Sequence, residues 1–509
     1  MKKDLLIGID CSTSASKVIV WDRRGSHIAE GRKEIPLLSP NPEWAEQPAE
    51  YWWDATAAAI KTVAHGIDHS RIAAIGITHQ RETFVPLDSD MRPLRNGITW
   101  VDTRSKTEVE KLKKACGDKI HRISGRYPNL YASNSKIMWL REHEPSLFSR
   151  TYKYVDVGGY LIYRLTGNNV TTLPSACPMG IIDIKEHCWS EEIMQILGVQ
   201  RAQFFDLVSP GSVVGSLTGD AAAEVGLPEG IPVVGGGGDG QCASLGAGVV
   251  GEGQASLNLG TAVVSQLCSN EYKPGKAYRS MCGCIPETYI NETLIAAGTL
   301  TISWFIDTFG QDIKSISNKN KITAEQVLEV MASAVKPADP RLLLVPYWKG
   351  AAAPSWDQFA KGIVIGWSEN ISKAHLYRAI LEGIIFEQRY LYEETQKVLG
   401  SRLAEIVLLG GGAKSPLWRQ IVADICGIPV HIPHTFEATC LGAAMLAAYA
   451  VGLYSSATDA SKNMSMIKET YSPNTENRNF YMKVYEKVYK QLFPKIRELV
   501  DEFTKITSP

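Results

Sequence analysis

The chain opens with the stretch LIGIDCSTSASKVIVWD, residues 6–22, in which two apolar runs flank a short polar segment. The apolar runs predict two β-strands, and the polar segment predicts a tight turn between them. Asp10, several residues with hydroxyl groups and Lys17 lie in or beside this turn. A carboxylate, hydroxyl groups and one ammonium group suit a phosphate group with its metal ion. A plain β-hairpin that binds no ligand is the alternative interpretation.

Three segments of the second half resemble segments of the first. The stretch QASLNLGTAVVSQLC from Gln254 repeats the opening order of strand, small polar turn and strand. The stretch EIVLLGGGAKS from Glu405 repeats a buried strand that ends at a polar turn. TCLGAAMLAAYAVGLY from Thr439 matches DGQCASLGAGVV from Asp239 as a helix of small residues. These similarities predict two copies of one domain type that face each other across a cleft, although chance similarity of strands would also explain them.

The order of elements predicts an α/β protein with two domains. Strand-like runs such as residues 72–79 alternate with helix-like segments such as the one that starts at Glu50. With 509 residues, the chain is too long for one ordinary core. We expect domains at residues 1–248 and 249–509, because the glycine-rich residues 246–253 are suited to a hinge.

The composition limits the classes of partner. The chain has 53 basic and 54 acidic residues and a net charge of -1, so no overall field attracts nucleic acid or an anionic membrane. The absence of a secretory signal and of a long apolar run leads us to expect a cytoplasmic protein without a membrane span. The ten cysteines lack metal-ligand spacing, since Cys282 and Cys284 form a lone Cys-x-Cys, and we expect reduced thiols.

The segment VVGGGGDGQCASLGAG places Asp239 directly after four glycines. Its glycines formally match the G-x-G-x-x-G pattern of dinucleotide-binding turns. A carboxylate inside such a turn repels phosphate, which argues against a dinucleotide site, and a glycine turn with a helix-capping Asp is the structural alternative. No G-x-x-x-x-G-K-[ST] motif occurs, so an ATP site would have to be of another type. A cleft between two domains, with an acidic residue on each side to hold magnesium, is one such type.

Four segments in order resemble the FGGY carbohydrate kinases, a family that includes xylulokinases and glycerol kinases. YASNSKIMWLREH, residues 131–143, fits the first family signature. GIVIGWSENISKAHLYRAILE, residues 362–382, fits the second, except that Trp367 replaces the usual aliphatic residue. LLGGGAKSPLWRQIVADI from Leu408 and PEWAEQPAEYWWDA from Pro42 look like the xylulokinase branch. The resemblance implies two actin-like, ribonuclease H-like domains around a central cleft.

The resemblance also implies ATP and Mg²⁺ as cofactors and assigns the groups that act on them. Asp239 corresponds to the catalytic base, and Asp10 together with Asp239 to the magnesium ligands. Lys17 would offset phosphate charge, although an exposed strand lysine fits the sequence equally well. Ser415 is expected to cap a helix rather than to contact nucleotide. The positions that match the phosphate and nucleotide segments are Thr13, Ser14, Lys17, Gly260, Thr261, Gly411, Gly412 and Ala413, while Thr299 and Thr301 lie in a segment that lines the nucleotide cleft in relatives.

The acceptor residues divide between two branches of the family. The run Gln80-Arg81-Glu82 resembles glycerol kinase, whereas xylulokinases usually carry Gln-Met-His-Gly there. An Arg fork and a Glu carboxylate suit neighbouring hydroxyl groups, but they would also form an ordinary surface ion pair. Trp100 could cover the carbon side of a polyol or serve core packing. The expected acceptor-binding residues are Gln80, Arg81, Glu82, Trp100, Asp102, Tyr131, Asp239 and Gln241.

The sequence therefore predicts a kinase of a small sugar or polyol. A ketopentose such as xylulose is the first candidate acceptor, and glycerol or another polyol is the alternative. An actin-like ATPase without a sugar substrate and a nicotinamide oxidoreductase are the competing classes. The expected partners are the small-molecule substrate and a second copy of the chain in a homodimer.

Overall fold

Two mixed β-sheets organise the protein, one in each half of the chain. The structure, a computed structural model, describes residues 3–507 apart from 338–341, 352, 356 and 358. The first half contains β1 (Leu5–Cys11), β2 (Ala15–Asp22), β3 (His27–Glu34), β4 (Glu46–Gln47), α1 (Ala49–Ala64), β5 (Ile72–His79), β6 (Phe84–Leu87), β7 (Gly97–Ile98), α2 (Lys106–Ser124), α3 (Ser133–His143), α4 (Pro145–Arg150), β8 (Lys153–Asp156), α5 (Val157–Thr166), β9 (Val170–Thr172), α6 (Leu173–Ala176), β10 (Ile182–Asp183), β11 (Cys188–Trp189), α7 (Glu191–Leu197), β12 (Asp206–Val208), β13 (Val213–Ser216), α8 (Gly219–Val225), β14 (Pro232–Gly238) and α9 (Asp239–Gly246).

The second half is built in the same manner. It contains β15 (Gln254–Leu259), β16 (Val263–Ser269), β17 (Arg279–Cys282), β18 (Tyr289–Ile295), α10 (Thr299–Phe309), α11 (Gln311–Asn320), α12 (Ala324–Ser333), β19 (Leu343–Val345), β20 (Ile363–Ile365), α13 (Lys373–Leu399), β21 (Glu405–Leu409), α14 (Pro416–Cys426), β22 (Val430–Pro433), α15 (Ala438–Ala450), α16 (Ala457–Met464), β23 (Ile467–Tyr471), α17 (Thr475–Val484) and α18 (Lys490–Thr507).

The two sheets share one strand order. In the first half the order is β13-β14-β5-β1-β2-β3, with β1, β2 and β3 antiparallel and with β5 parallel to both β1 and β14. In the second half β18-β16-β15-β21-β22 repeats that arrangement, and β17 and β23 extend its edges. The predicted repeat is therefore present as a repeat of topology, not as a chance likeness of strands.

Burial on both faces explains the apolar composition of the central strands. Every residue of β5 is buried, and β1 is buried except at Asp10. Helix α1 covers β2 and β3, whereas α15 packs on β1, β5 and β14. A central parallel strand that is covered on both faces reads as a continuous apolar run, as IAAIGITH does in β5.

Helix α15 comes from the second half but packs on the sheet of the first half, where it also contacts α9. The contact depends on missing side chains, because a Cβ atom on Gly442 would overlap the carbonyl of Cys242 and one on Gly246 would overlap that of Ala438. A Cβ atom on Gly8 of β1 would likewise overlap the carbonyl of Cys440. The two halves are thus joined by close backbone contacts.

Candidate active site

A cavity of about 350 Å³ lies between the two halves. Arg81, Glu82, Trp100, Tyr131 and Asp239 line it from the first half. From the second half come Thr261 and Arg279 with the apolar residues Ala262, Val264, Leu294 and Ala296. Charged groups, two aromatic rings and an apolar wall in one small cavity are typical of a site for a small polar molecule.

Asp239 is the first residue of α9 and follows β14 directly. Its side chain is 39% exposed, and its Oδ1 lies 2.9 Å from Nε of Arg81. The backbone N–H of Gly240 donates to the same oxygen. The pKa of Asp239 is raised because its partial burial outweighs the opposing charge of Arg81. The carboxylate is therefore held in place while it remains open to the cavity.

Asp10 lies near the end of β1, and β1 and β14 both flank β5 in the sheet. Its Oδ1 is buried and has no hydrogen-bond partner among the described residues. Burial and the nearby charge of Asp239 raise the pKa of Asp10 to about 8. A buried carboxylate oxygen without a partner, beside a second carboxylate, is an arrangement that a bound cation would stabilise.

The turn between β1 and β2 is fixed by a chain of hydrogen bonds. Thr13 Oγ1 accepts from Nε1 of Trp100 at 2.8 Å and donates to Oε1 of Gln80 at 3.1 Å. Gln80 is buried and donates in turn to Gln47. Ser14, in contrast, is exposed. The structure thus places Gln80 as a support of the turn rather than in the wall of the cavity.

Lys17 lies in β2 directly opposite Asp10. Its Nζ is 2.9 Å from Oε2 of Glu437, a residue of the second half. A longer contact of 3.6 Å joins Nζ to Glu30. In this structure the ammonium group is therefore paired with a carboxylate across the two halves.

Buried side chains of alternating charge lie behind this cavity. Glu292 is buried between Arg81, at 2.7 Å, and Arg279. Burial alone would raise the pKa of Glu292, but the two arginines lower it to about 2. Glu82 accepts from Nη2 of Arg126 at 2.5 Å and lies 3.7 Å from Arg279. Because each buried charge has an opposite neighbour, the wall holds its side chains in fixed positions.

Glu82 has a positive φ of 61°, which is uncommon for a residue with a side chain. The hydroxyl group of Ser133 donates to its carbonyl oxygen at 2.6 Å, while Arg126 holds its carboxylate. Strained backbone of this kind occurs where surrounding contacts enforce it. These two contacts hold Glu82 in this conformation next to Arg81 in the cavity wall.

Asp102 and Gln241 do not line the cavity. Asp102 is completely buried, and its two oxygens accept from Arg104 and from the backbone N–H of Ala45. Gln241 is buried in α9 and donates to the carbonyl oxygen of Pro174. The structure gives neither side chain the exposure that direct contact with an acceptor requires.

The turn after β15 contains Gly260 and Thr261, which the sequence predicts as phosphate-binding residues. Thr261 lines the cavity, and Gly260 accepts from the backbone N–H of Thr299 at 2.9 Å. Thr299 begins α10, and the hydroxyl group of Thr301 donates to the carbonyl oxygen of Ala297, which precedes that helix. Thr299 thus supports the turn through its backbone, whereas Thr301 is buried.

The glycine segment after β21 forms a single 3-10 turn, Gly411–Lys414. Apart from the neighbouring residues of the chain, no described residue has an atom within 4 Å of the position where a Cβ of Gly411 would stand, whereas one on Gly412 would overlap the ring of Trp418. Ala413 is buried. Ser415 accepts from the backbone N–H of Trp418 at 3.1 Å, which confirms its prediction as a helix cap. Among the described residues, the space beside Gly411 is therefore open.

Comparison with known proteins identifies this arrangement. The model of the N-terminal domain of the FGGY family of carbohydrate kinases matches residues 5–246, and the model of the C-terminal domain matches residues 255–451. This chain belongs to the FGGY family of carbohydrate kinases. It is an enzyme that transfers a phosphoryl group to an alcohol group of a carbohydrate.

Individual relatives of the kinase carry different substrate names. A xylulose kinase of Staphylococcus epidermidis is 28% identical over the full length of both chains. A glycerol kinase of Thermococcus gammatolerans is 31% identical and covers 92% of this kinase and 94% of its own chain. The crystal structure of a gluconate kinase from Lactobacillus acidophilus superposes with a TM-score of 0.90 at 26% identity, over 98% of this kinase and 99% of that chain. The fold predicted from the sequence, two actin-like domains around a cleft, is confirmed.

Several charged residues of the site were missing from the sequence prediction. Arg279 and Glu292 lie in the largely buried strands β17 and β18, and Arg126 follows α2. A charged residue in a buried strand is a signal that the sequence does contain. The sequence does not reveal the partner of such a residue, because Glu292 contacts Arg81, which lies more than 200 positions earlier in the chain. Within the described ranges, no helix of the kinase is both long and apolar enough to cross a membrane.

Proposed function

We propose that this kinase phosphorylates a small sugar or polyol with ATP and Mg²⁺, and that a ketopentose such as xylulose, giving the 5-phosphate, is the first candidate acceptor. The observation that carries the proposal is the cavity in which Asp239 faces Arg81, Trp100 and Tyr131. Its volume of about 350 Å³ is near the lower end of the roughly 300–1,000 Å³ usual for small-molecule sites. A single small sugar suits such a cavity better than an oligosaccharide.

Asp239 is the general base in this mechanism. A carboxylate with a raised pKa, open to the cavity, accepts the proton of an acceptor hydroxyl while that oxygen attacks the γ-phosphorus of ATP. Arg81 orients the carboxylate through its Nε contact. Trp100 and Tyr131, whose ring centroids are 5.9 Å apart, cover the carbon side of the acceptor.

Asp10 and Asp239 would hold Mg²⁺. The unpartnered Oδ1 of Asp10 and the mutual repulsion of the two carboxylates fit a hard divalent cation. When bound, the ion would neutralise charge on the phosphate oxygens. The chain itself keeps Asp10 fixed at the end of a fully paired strand.

ATP would lie between turns from both halves. Thr13, Ser14 and Lys17 would face the phosphates from the first half, and Gly260 and Thr261 from the second. The turn at Gly411, Gly412 and Ala413 would receive the purine and ribose, where the space around Gly411 is open. Donors fixed on two separate bodies bind phosphoryl charge best when the cleft closes, which also excludes water.

Glycerol or another polyol is the second candidate acceptor. Arg81 and Glu82, the pair that resembles glycerol kinase, both line the cavity. Similarity to a xylulose kinase over the full chain favours a ketose, because it extends to every part of the fold. The two candidates differ in their acceptor, so an acceptor assay distinguishes them.

A coupled assay that records ADP release tests the proposal. Purified enzyme with Mg²⁺ and ATP would be supplied in turn with ketopentoses, tetritols, glycerol and gluconate. We expect ADP release to depend on the acceptor and kcat/KM to be highest for a ketopentose. A preference for glycerol would support the second candidate, and equal ADP release without any acceptor would contradict both.

We also infer a domain boundary between residues 248 and 249, a homodimer and a cytoplasmic location. The boundary is supported by the gap between the two family domain matches, at residues 247–254. Sedimentation velocity tests the dimer, with a single species at twice the mass of 55.9 kDa as the expected result.

A further inference from the structure

The ion pair between Lys17 and Glu437 joins the two halves beside the catalytic carboxylates. Lys17 belongs to β2, whereas Glu437 immediately precedes α15. Their Nζ and Oε2 atoms are 2.9 Å apart, and the two side chains are only 25% and 36% exposed. The family comparison and the sequence motifs assign no role to Glu437.

Besides Glu437 and Glu30, Lys17 has Asp10 as a cross-strand neighbour. It lies directly opposite Asp10 in the antiparallel pair of β1 and β2. Residues in that relation project from the same face of the sheet, with Cβ atoms about 4.5–5.5 Å apart. Burial and the charge of Asp239 raise the pKa of Asp10. The charge of Lys17 lowers this pKa and that of Glu437 raises it, so both groups act on the Asp10 carboxylate.

Lys17 nevertheless forms its close ion pair with Glu437 and not with Asp10. Oδ1 of Asp10 has no hydrogen-bond partner in the part of the chain that the structure describes. Glu437 therefore binds the ammonium group of Lys17 at close range. Without Glu437, that ammonium group could neutralise Asp10. This arrangement leaves one carboxylate of the cluster open.

We propose that Glu437 is a positioning residue that holds Lys17 away from Asp10 and so keeps the Asp10 carboxylate open for a divalent cation. The inference rests on the proposed function, because it takes Asp10 as a ligand of the cation. Removal of the Glu437 carboxylate frees the ammonium to pair with Asp10 across the strands. The ammonium then competes with the cation for one carboxylate.

The direct test measures cation binding rather than catalysis. Mn²⁺ binding would be followed by the electron paramagnetic resonance of the free ion, in the presence of a non-hydrolysable ATP analogue. Glu437→Gln should weaken Mn²⁺ binding roughly 3- to 10-fold, the range expected when a partly exposed ion pair must be displaced. Unchanged Mn²⁺ affinity in this variant would overturn the proposal.

A double-mutant cycle separates competition by Lys17 from a general loss of negative charge. In a Lys17→Met background no ammonium is present, so the further change Glu437→Gln should leave Mn²⁺ affinity unaltered within twofold. If Glu437→Gln weakens Mn²⁺ binding equally in both backgrounds, then Glu437 acts directly on the cation and the proposal is wrong. Glu437→Asp, which keeps the charge, should restore most of the affinity.

Two further variants serve as controls. Glu30→Gln removes the longer contact of Lys17 and should leave Mn²⁺ affinity within twofold of the wild type. Asp10→Asn tests the underlying assignment, because unchanged Mn²⁺ affinity there would show that Asp10 is not a ligand. Circular dichroism of Glu437→Gln should match the wild type. If that variant is misfolded, the Mn²⁺ affinities of Lys17→Met and Lys17→Met/Glu437→Asp are compared instead. A difference of more than twofold between these two affinities would contradict competition by Lys17.

Discussion

At the scale of single residues, the environment of a carboxylate decides what it can do. Asp239 and Asp102 are both aspartates of the first half, and both contact an arginine. Asp102 is enclosed and uses both of its oxygens inside the protein. Asp239 keeps part of its surface in the cavity and has a raised pKa. Only the second arrangement can exchange a proton with a bound molecule.

Replacing Asp239 should remove phosphoryl transfer and preserve nucleotide binding. Asp239→Asn cannot accept a proton, and we expect kcat to fall by about 10²–10⁴-fold, the usual range for a lost general base. Nucleotide affinity, measured by calorimetry, should change little. The matched control is Asp54→Asn, an exposed aspartate of α1, which should keep normal turnover. Turnover near the normal value in Asp239→Asn would remove it from this role.

Replacing Arg81 should change both acceptor binding and the pH profile. The positive charge of Arg81 lowers the pKa of Asp239, so Arg81→Gln should raise that pKa further. A base with a higher pKa stays protonated to a higher pH, and the acid limb of log kcat/KM should therefore move towards alkaline pH. KM for the acceptor should rise as well, because one of its contacts is lost.

A surface arginine offers the comparison for this measurement. Arg92→Gln alters a side chain that is 77% exposed and should leave both KM and the acid limb in place. If Arg81→Gln behaves in the same way as Arg92→Gln, then Arg81 forms only a structural ion pair.

The sequence predicted the residue types of the site better than their directions. Arg81, Glu82, Trp100, Tyr131 and Asp239 all line the cavity. Gln80, Asp102 and Gln241 lie close to these residues in the chain but point into the protein. Side-chain direction at the end of a strand depends on the local backbone, such as the positive φ of Glu82, and no pattern in the sequence reveals it.

At the scale of elements, the helices α9 and α15 are the most informative pair. Their sequences predicted two similar helices of small residues, and the structure contains both. Their contact with one another was not predicted, because periodicity reveals a helix but not its partner. Gly246 and Gly442 make this contact possible, since a side chain at either position would overlap the backbone of the other helix.

Adding a methyl group at this crossing should destabilise the kinase. We expect Gly442→Ala to lower the free energy of unfolding in urea by about 1–3 kcal/mol, the usual cost of overpacking a close contact. The better helix propensity of alanine cannot compensate for an overlap with backbone atoms. Gly66→Ala is the control, because its added Cβ would meet only one atom, 3.9 Å away. Equal stability of both variants would show that the helices can move apart freely.

At the scale of the whole molecule, the site exists only where the halves meet. Neither sheet alone holds all the groups, since Asp239 comes from one half and Thr261 and Arg279 from the other. The sequence predicted two domains and a cleft from the internal repeat and from the family resemblance. It did not reveal that α15 of the second half completes the layer below the first sheet.

Ligands should draw the two halves together. We expect the radius of gyration from small-angle scattering to decrease when the acceptor and a non-hydrolysable ATP analogue are both present, because each half supplies part of the binding groups. Each ligand alone should cause a smaller change. A sugar that does not stimulate ADP release is the control, and a radius with both ligands equal to that of the ligand-free enzyme would exclude closure.

The crossing of α9 and α15 has a mechanical consequence. Asp239 is the first residue of one helix, and Glu437 immediately precedes the other. Because Gly246 and Gly442 have no side chains, the backbones of the two helices are in direct contact where they cross. Any rotation of one helix against the other would therefore change the spacing between the proton acceptor and the carboxylate that pairs with Lys17. The glycine crossing thus ties the position of Asp239 to that of Glu437.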